Sequence, residues 1–479
     1  MTTVPLVPSD PTLPRLATVL DARTMGHVFE QQLFAAGKSV ELTACDIERV
    51  KYRPRRNCLI GYKLKLREPA TGACHEQRLC AGIYAPDDAR TRYDKASSEA
   101  HATCAWFAPV SLIAPLNMIV WAFPNERKLS ALPVMTDSAG LREDLLPAVV
   151  RARWGEDWKI TDVSHDVTCY FPEHSCTISA DLTLVHASGA PRRAWSVLGK
   201  TRYDDAGAET FRCMTQLWRG GDRDDASYAR PLGYQPEHRL LWQERVPGQT
   251  LDSLLNRSVF DMALLVRAAR ALAALHRTPL TAARRVVTSD VVERLISTEA
   301  LVAGAYPQCA AALAQATEHL RCRVSSLNTH TSATLHGDLH SNNILVDAAR
   351  VYLIDLDRVS NGPPLAELGS FLAELIYRAC LSGTALDALT PVLNNTVQAY
   401  RQAAPWPVTD EEVDWYTAAA LLNERAFRCV TSLKPGRMEI LGQLVDIAAR
   451  VSRAGLIAAS ARSASGVVGQ TTYAARGTE

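Results

Sequence analysis

The chain has 479 residues, 47% of them hydrophobic, which is enough for two or three cores. Its 52 lysines and arginines balance 51 aspartates and glutamates, so no global field draws it to nucleic acid or to an acidic membrane surface. It lacks the ~18 consecutive apolar residues of a membrane span, and "MTTVPLVPSDPTLPRL" does not read as a signal peptide. The expected partners therefore include neither nucleic acid nor membrane. The 12 cysteines are scattered without a C-x-x-C pair, which reads as reduced thiols in a cytoplasmic protein.

In chain order, residues 1–39 read as an N-terminal arm and lead-in, the first 14 Pro-rich and flexible. Strand texture then runs from about 40 to 245. "NCLIGYKLKLRE" (57–68) alternates, with Ile60, Tyr62, Leu64 and Leu66 on one face. "CTISADLTLVH" (176–186) puts Ile178, Ala180, Leu182 and Leu184 together, and "RAWSVLGKTRY" (193–203) reads as a further strand. From about 260 the texture is helical, over 261–277, 364–380, 415–430 and 443–461. Residues 461–479 are small and polar and read as a flexible tail. Sheet-rich then helix-rich segments predict an α+β chain.

The first part repeats itself. "YRPRRNCLIGYKLKL" from Tyr52 aligns with "YFPEHSCTISADLTL" from Tyr170 at an offset of 170 − 52 = 118, pairing Pro54 with Pro172, Cys58 with Cys176, Leu64 with Leu182 and Leu66 with Leu184. The basic residues of the first copy (Arg49, Lys51, Arg53, Arg55, Arg56, Lys63, Lys65) read as a solvated strand face, or as a surface for an anionic partner.

The chemistry concentrates in "LHGDLHSNNILVDAARVYLIDLDR" (335–358). "NILV" and "VYLI" flank the turn "DAAR" and predict a hairpin that brings Asp338, Asn343 and Asp355 to one end of a small sheet. Phosphoryl transfer uses such a set, one carboxylate to orient a hydroxyl and an amide and second carboxylate to hold Mg²⁺ on the phosphates.

These motifs, His336-Gly337-Asp338 to Asn343 and Ile354-Asp355-Leu356-Asp357, resemble H-G-D-x-x-x-x-N and I-D-[FLW]-[DE] of the aminoglycoside phosphotransferase and choline kinase family. The resemblance implies a protein-kinase-like two-lobe fold, with a nucleotide-binding small lobe at 156–246 and a helical catalytic lobe at 247–460. It implies ATP and Mg²⁺ as cofactors and a small-molecule hydroxyl acceptor. Asp338 is the implied catalytic base, His336 a brace of the catalytic loop, and Asn343 and Asp355 the implied Mg²⁺ ligands. Asp357 either assists the metal or caps a turn. Glu367 stands where that family usually has an Asp tying a helix to the loop.

Lys200, ending an apolar strand, is the expected cation on the nucleotide phosphates, with Glu209 as its candidate partner. "LLWQERVPGQTL" (240–251) resembles the hinge between lobes, where Gln243, Glu244 and Val246 lie at the adenine edge and Pro247-Gly248 turns into the helical lobe. Glu173, in the turn expected over the phosphates, carries the wrong charge unless it points away. Residues 40–155 then read as an additional domain resembling a degenerate second copy of the small lobe, with Gly82 in place of Lys200 (200 − 118 = 82). That domain would cap the enzyme, form a homodimer or shape a substrate site. The acceptor pocket is expected at 360–450, near Trp406, Trp415, Tyr416, Glu424 and Arg425. The competing reading is a nucleotide-binding pseudo-enzyme or scaffold whose duplicated lobe binds a protein.

Overall fold

The alternation read in the sequence becomes two five-stranded antiparallel sheets in the computed structural model, which describes residues 7–34, 40–99, 101–221, 225–256, 261–328, 330–433 and 436–461. The expected tail lies outside the described residues except at its first position. The first sheet comprises β1 (Glu41–Arg53), β2 (Asn57–Arg67), β3 (Cys74–Ile83), β4 (Val110–Ile113) and β5 (Met118–Ala122), in the order β1-β2-β3-β5-β4. The second comprises β6 (Trp158–Phe171), β7 (Ser175–His186), β8 (Arg193–Arg202), β10 (Pro231–Gln235) and β11 (Leu240–Glu244), in the order β6-β7-β8-β11-β10, after which the two-residue β9 (Ser227–Tyr228) is the one strand skipped. Each has a helix after its third strand, Pro86–Ser97 in one and Gly207–Gly220 in the other.

The two sheets match in detail. The β1–β2 and β6–β7 turns each hold a non-glycine residue in the left-handed region, Arg55 and Glu173, both with φ 56° and 173 − 55 = 118 apart. A register shift between Leu42 and Ala44 recurs between Ile160 and Asp162. At these bulges Thr43 Oγ1 donates to Lys65 O at 3.0 Å and Thr161 Oγ1 to Thr183 O at 3.1 Å, the same pair 118 residues on (161 − 43, 183 − 65).

Burial explains why both sheets are needed. Tyr84, Ile119 and Trp121 of the first unit pack in one core with Tyr170, Ile178, Leu184 and Trp242 of the second. A second core lies on the other side of the first sheet, under Leu13, Leu16, Met25 and Phe29. The flexible arm expected over the first 14 residues lies outside the described residues at 1–6 and is corrected beyond them: Leu13 and Leu16 are each 2% exposed, and Asp10 accepts from Tyr52 Oη at 2.8 Å. Proline-rich composition suggested flexibility, but Leu13, between Pro11 and Pro14, and Leu16 just after them are buried in the core beside the sheet.

The helical part forms the third core, around the helices Met262–Arg277, Pro364–Ser382, Leu386–Ala403, Asp410–Ala420 and Leu441–Ala461. It carries β12 (Gln249–Thr250), β13 (Ala333–Leu335), β14 (Ile344–Val346), β15 (Val351–Leu353) and β16 (Ser360–Gly362). β14 and β15 form the anticipated hairpin, with Ile344 opposite Leu353. No helix among the described residues is long and apolar enough to cross a membrane.

Candidate active site

The loop after β13 is fixed from below by Glu367. That carboxylate, 6% exposed, accepts from His336 N at 2.8 Å, from Gly337 N at 2.6 Å and from His276 Nε2 at 3.1 Å. Burial alone would raise its pKa, but His276 and the backbone donors outweigh it and keep Glu367 ionised. The Glu367 side chain thus ties its helix to the loop. Gly337 has φ 81°, and a Cβ there would fall 2.0 Å from Arg358 O, so no other residue fits. His336 is fully buried and its Nε2 meets Ile354 O at 2.8 Å. A carbonyl only accepts, so this nitrogen carries the proton and ties the loop to the strand before Asp355. Glu367→Ala is expected to cost about 3–5 kcal/mol, because it strands a buried histidine and two N–H groups. The denaturation midpoint is the readout, and an unchanged midpoint would deny the carboxylate its role.

Asn343 donates from Nδ2 to Asp338 O at 3.0 Å, and Ile354 N donates to Asn343 O at 3.0 Å. Asp338, Asn343 and Asp355 therefore share one end of the hairpin. Asp355 sits at φ 62°, a conformation that costs a non-glycine residue about 1–3 kcal/mol and persists where surrounding structure enforces it. Lys200 Nζ reaches it across the cleft, 2.5 Å from Asp355 Oδ1 and 2.6 Å from Asp357 Oδ2. Arg202 Nη1 also pairs with Asp357, at 2.8 Å. Burial would lower the Lys200 pKa, but Asp357 and Asp355 more than offset it and hold the ammonium charged. Asp357 is therefore an anchor for two cations of the small lobe.

Oxygen donors suit Mg²⁺. Asn343 has committed its amide nitrogen to Asp338 O, so only its carbonyl oxygen remains to offer a cation, while Asp355 has Oδ2 beyond the Lys200 contact. Among the described residues no three His, Cys, Asp or Glu side chains group as a metal site. A Mg²⁺ ion that arrives on a nucleotide needs only one or two protein ligands beside the phosphates, so the pair fits that ion.

Glu209 does not pair with Lys200, which corrects the expectation. It lies on the first turn of the Gly207–Gly220 helix, where Arg212 one turn on takes its carboxylate at 2.6 Å and Ala283 N donates at 3.0 Å. The Arg212 hydrogen bond is the main cause that holds Glu209 down at about 2. Gln243 and Glu244 end β11, and Val246 follows in the connection to β12. The Glu244 side chain faces Arg153 at 2.7 Å, so only its backbone is available to a base.

Glu173 points away from the cleft. Its carboxylate meets Arg127 Nε at 2.7 Å and Lys128 Nζ at 3.7 Å, and its N–H donates to Glu126 Oε2 at 2.7 Å. Arg49 of β1 stacks 3.9 Å from the Phe171 ring centre. The turn expected over the phosphates is thereby clamped by residues of the first unit, and Arg49 is not part of a simple solvated face.

A cavity of about 520 Å³ opens beside Asp338. Tyr416 and Glu424 line it, whereas Trp406, Trp415 and Arg425 do not. Trp415 is 2% exposed with its Nε1 on Leu320 O, and Arg425 is 3% exposed against Glu374, so both belong to the core. The residues not anticipated are arginines. Arg428 Nη2 lies 3.3 Å from Asp338 Oδ1, and Arg284, Arg294 and Arg358 also line the cavity. Arg358 directly follows the metal-strand motif and was within reach of a sequence reading; the other three lie too far from any motif.

An antiparallel sheet bearing Lys200, a linker, and a helical lobe bearing Asp338, Asn343 and Asp355 together make up the site. Residues 202–406 match the model of the phosphotransferase enzyme family. No curated protein matches the chain. Among solved structures it is similar to a putative aminoglycoside phosphotransferase from Ralstonia eutropha JMP134 (15% identity, 64% of this chain and 97% of that one, TM-score 0.45). It is also similar to an apo thermostable mutant of aminoglycoside phosphotransferase APH(4)-Ia (16%, 64% and 99%, 0.40) and a choline/ethanolamine kinase family protein from Mesorhizobium loti (14%, 59% and 89%, 0.40).

Proposed function

We propose that the protein transfers the γ-phosphate of ATP to a hydroxyl of a small molecule, with Asp338 as the base that orients the acceptor. The observation that carries this reading is the meeting of Lys200 with Asp355 at 2.5 Å, at the hairpin end shared with Asp338 and Asn343. Asn343 and Asp355 would hold Mg²⁺, which when bound supplies charge neutralisation on the phosphates. Lys200 would leave Asp355 for the phosphates, while Asp357 keeps Arg202 and the strand end in place. Asp338 would accept a hydrogen bond from the acceptor hydroxyl and take its proton as the new P–O bond forms and the bond from the γ-phosphorus to the β,γ-bridging oxygen breaks, ADP leaving with that electron pair. Positioning and fixed charge supply most of the rate in such a site.

Residues 40–155 read as a second, degenerate small lobe. The shared strand order, bulge and left-handed turn support a duplication. Gly82 lies opposite Leu59 as Lys200 lies opposite Thr177, the same register 118 residues apart (177 − 59). A Cβ at Gly82 would stand 2.6 Å from Tyr84 Oη, so a tyrosine ring fills the space of the missing cation. This copy holds no phosphate; it clamps the turn of the one that does.

Calorimetric titration of ATP with Mg²⁺ into wild type and Asp355→Ala tests the site. Metal-dependent binding that weakens roughly tenfold or more without Asp355 is expected, since charged hydrogen-bonding partners are worth at least that. No nucleotide binding to wild type would overturn the reading.

A further inference from the structure

We infer that the cavity beside Asp338 selects an acceptor carrying an anionic group, a carboxylate or a phosphate, held by Arg284, Arg294 and Arg358; this rests on the phosphotransferase reading of the same site. The charges in the cavity are unevenly satisfied. Each of its acids is already engaged. Glu367 holds the catalytic loop, and Glu424 accepts from Ser370 Oγ at 2.7 Å and pairs with Arg425 at 3.4 Å. Asp290 accepts from Val287 N at 3.2 Å, and Asp338 faces Arg428. Arg284, Arg294 and Arg358, by contrast, make no side-chain hydrogen bond or ion pair among the described residues.

Burial, and then the neighbouring Arg358 and Arg294, push the Arg284 guanidinium below its ordinary range, so these cations feel one another. Like charges gathered on a concave wall repel, and their field is focused into the space they share. A bound anion removes that repulsion and answers the planar donors of a guanidinium two at a time. An ammonium-rich acceptor would meet the opposite field, since the one carboxylate reserved for the reaction, Asp338, is already faced by Arg428.

The attacking hydroxyl must lie at Asp338 and the anionic group within reach of the arginines, so a short molecule bearing both is the fitting class. The test uses the full chain and a matched set of three-carbon alcohols: glycerol, glycerate, glycerol 3-phosphate and 2-amino-1,3-propanediol. Each is titrated calorimetrically, with and without Mg²⁺ and a non-hydrolysable ATP analogue. Loading the analogue first keeps anions from being counted at the nucleotide's own phosphate site.

One of the two anions should bind roughly tenfold or more tighter than glycerol and the amine, and Arg284→Ala and Arg358→Ala should each remove most of that preference. Glycerate ahead of glycerol 3-phosphate assigns a carboxylate, and the reverse order a phosphate. Absence of anion binding, equal or better binding of the neutral or amino member, or arginine variants that bind as wild type does would each overturn the inference. Analogue binding is read separately. Its failure would sink the phosphotransferase reading, while the anion preference in the unloaded chain still judges the cavity.

Discussion

Asp338→Asn is expected to lower kcat by roughly 10²–10⁴-fold, the range a positioned general base supplies. The substitution keeps the shape of the side chain and leaves the Asn343 contact, which uses the Asp338 backbone carbonyl, in place. Nucleotide affinity should therefore survive, and a single-turnover measurement at saturating ATP separates the lost step from lost binding. The pH profile adds a second check. Burial would raise the Asp338 pKa, but Arg428, His340 and Arg358 outweigh it and hold it below the ordinary carboxylate value. A base with a depressed pKa is already deprotonated above about pH 4. On this account kcat/KM should show no acid limb from Asp338 between about pH 5 and 8. A limb near pH 6 that disappears in Asp338→Asn would give the residue a different environment from the one described.

What the sequence revealed was what lies close along the chain. The loop with Asp338, its hairpin and the strand before Asp355 occupy 24 residues, 335–358, so spacing alone brings Asp338, Asn343 and Asp355 together. Strand alternation likewise named the buried faces of β2 and β7, because a period of two fixes which side chains share a side. Contacts across the chain were not legible in this way. Arg428 meets Asp338 over a separation of 90 residues, and nothing near either residue announces the other. Glu209 was the candidate partner of Lys200 as an acid on the next helix, although nine residues is a close spacing. Its place on the first helical turn, with Arg212 on the same face, decides otherwise. The pocket expected at 360–450 was legible only in part: Tyr416 and Glu424 line the cavity beside Asp338, but Arg284, Arg294 and Arg358 lie outside that range. Trp415, near which that pocket was expected, has its Nε1 on Leu320 O inside the helical core.

Removing residues 1–155 is expected to leave 156–479 insoluble or without cooperative unfolding. Dividing the chain by its repeat implies a separable extra domain, but the apolar packing runs across that boundary. Tyr170, Cys176, Ile178, Ala180, Leu182, Leu184 and Trp242 are each at most 5% exposed, and they share a core with Tyr84, Ile119, Trp121 and the helix Pro147–Trp154. Exposing several such side chains at about 1.5–3 kcal/mol each removes an amount comparable to the entire 5–15 kcal/mol that holds a typical domain folded. Polar ties would be cut as well: Gln235 Nε2 to Leu145 O at 2.8 Å, Arg153 to Glu244 at 2.7 Å, and the Arg127–Glu173 pair over the cleft. Leu433, from the helical part, also buries in the core of the first unit. The first unit thus touches both the second sheet and the helical part, and on the proposed function even a solubilised fragment should bind Mg²⁺ and ATP more weakly because the Phe171–His174 turn has lost its clamp. Solubility, a thermal melt and nucleotide calorimetry on the fragment decide the matter. A soluble fragment that melts cooperatively and binds nucleotide as the whole chain does would make the first unit a passenger. The shared core instead makes the first unit a structural half of the part that holds Lys200.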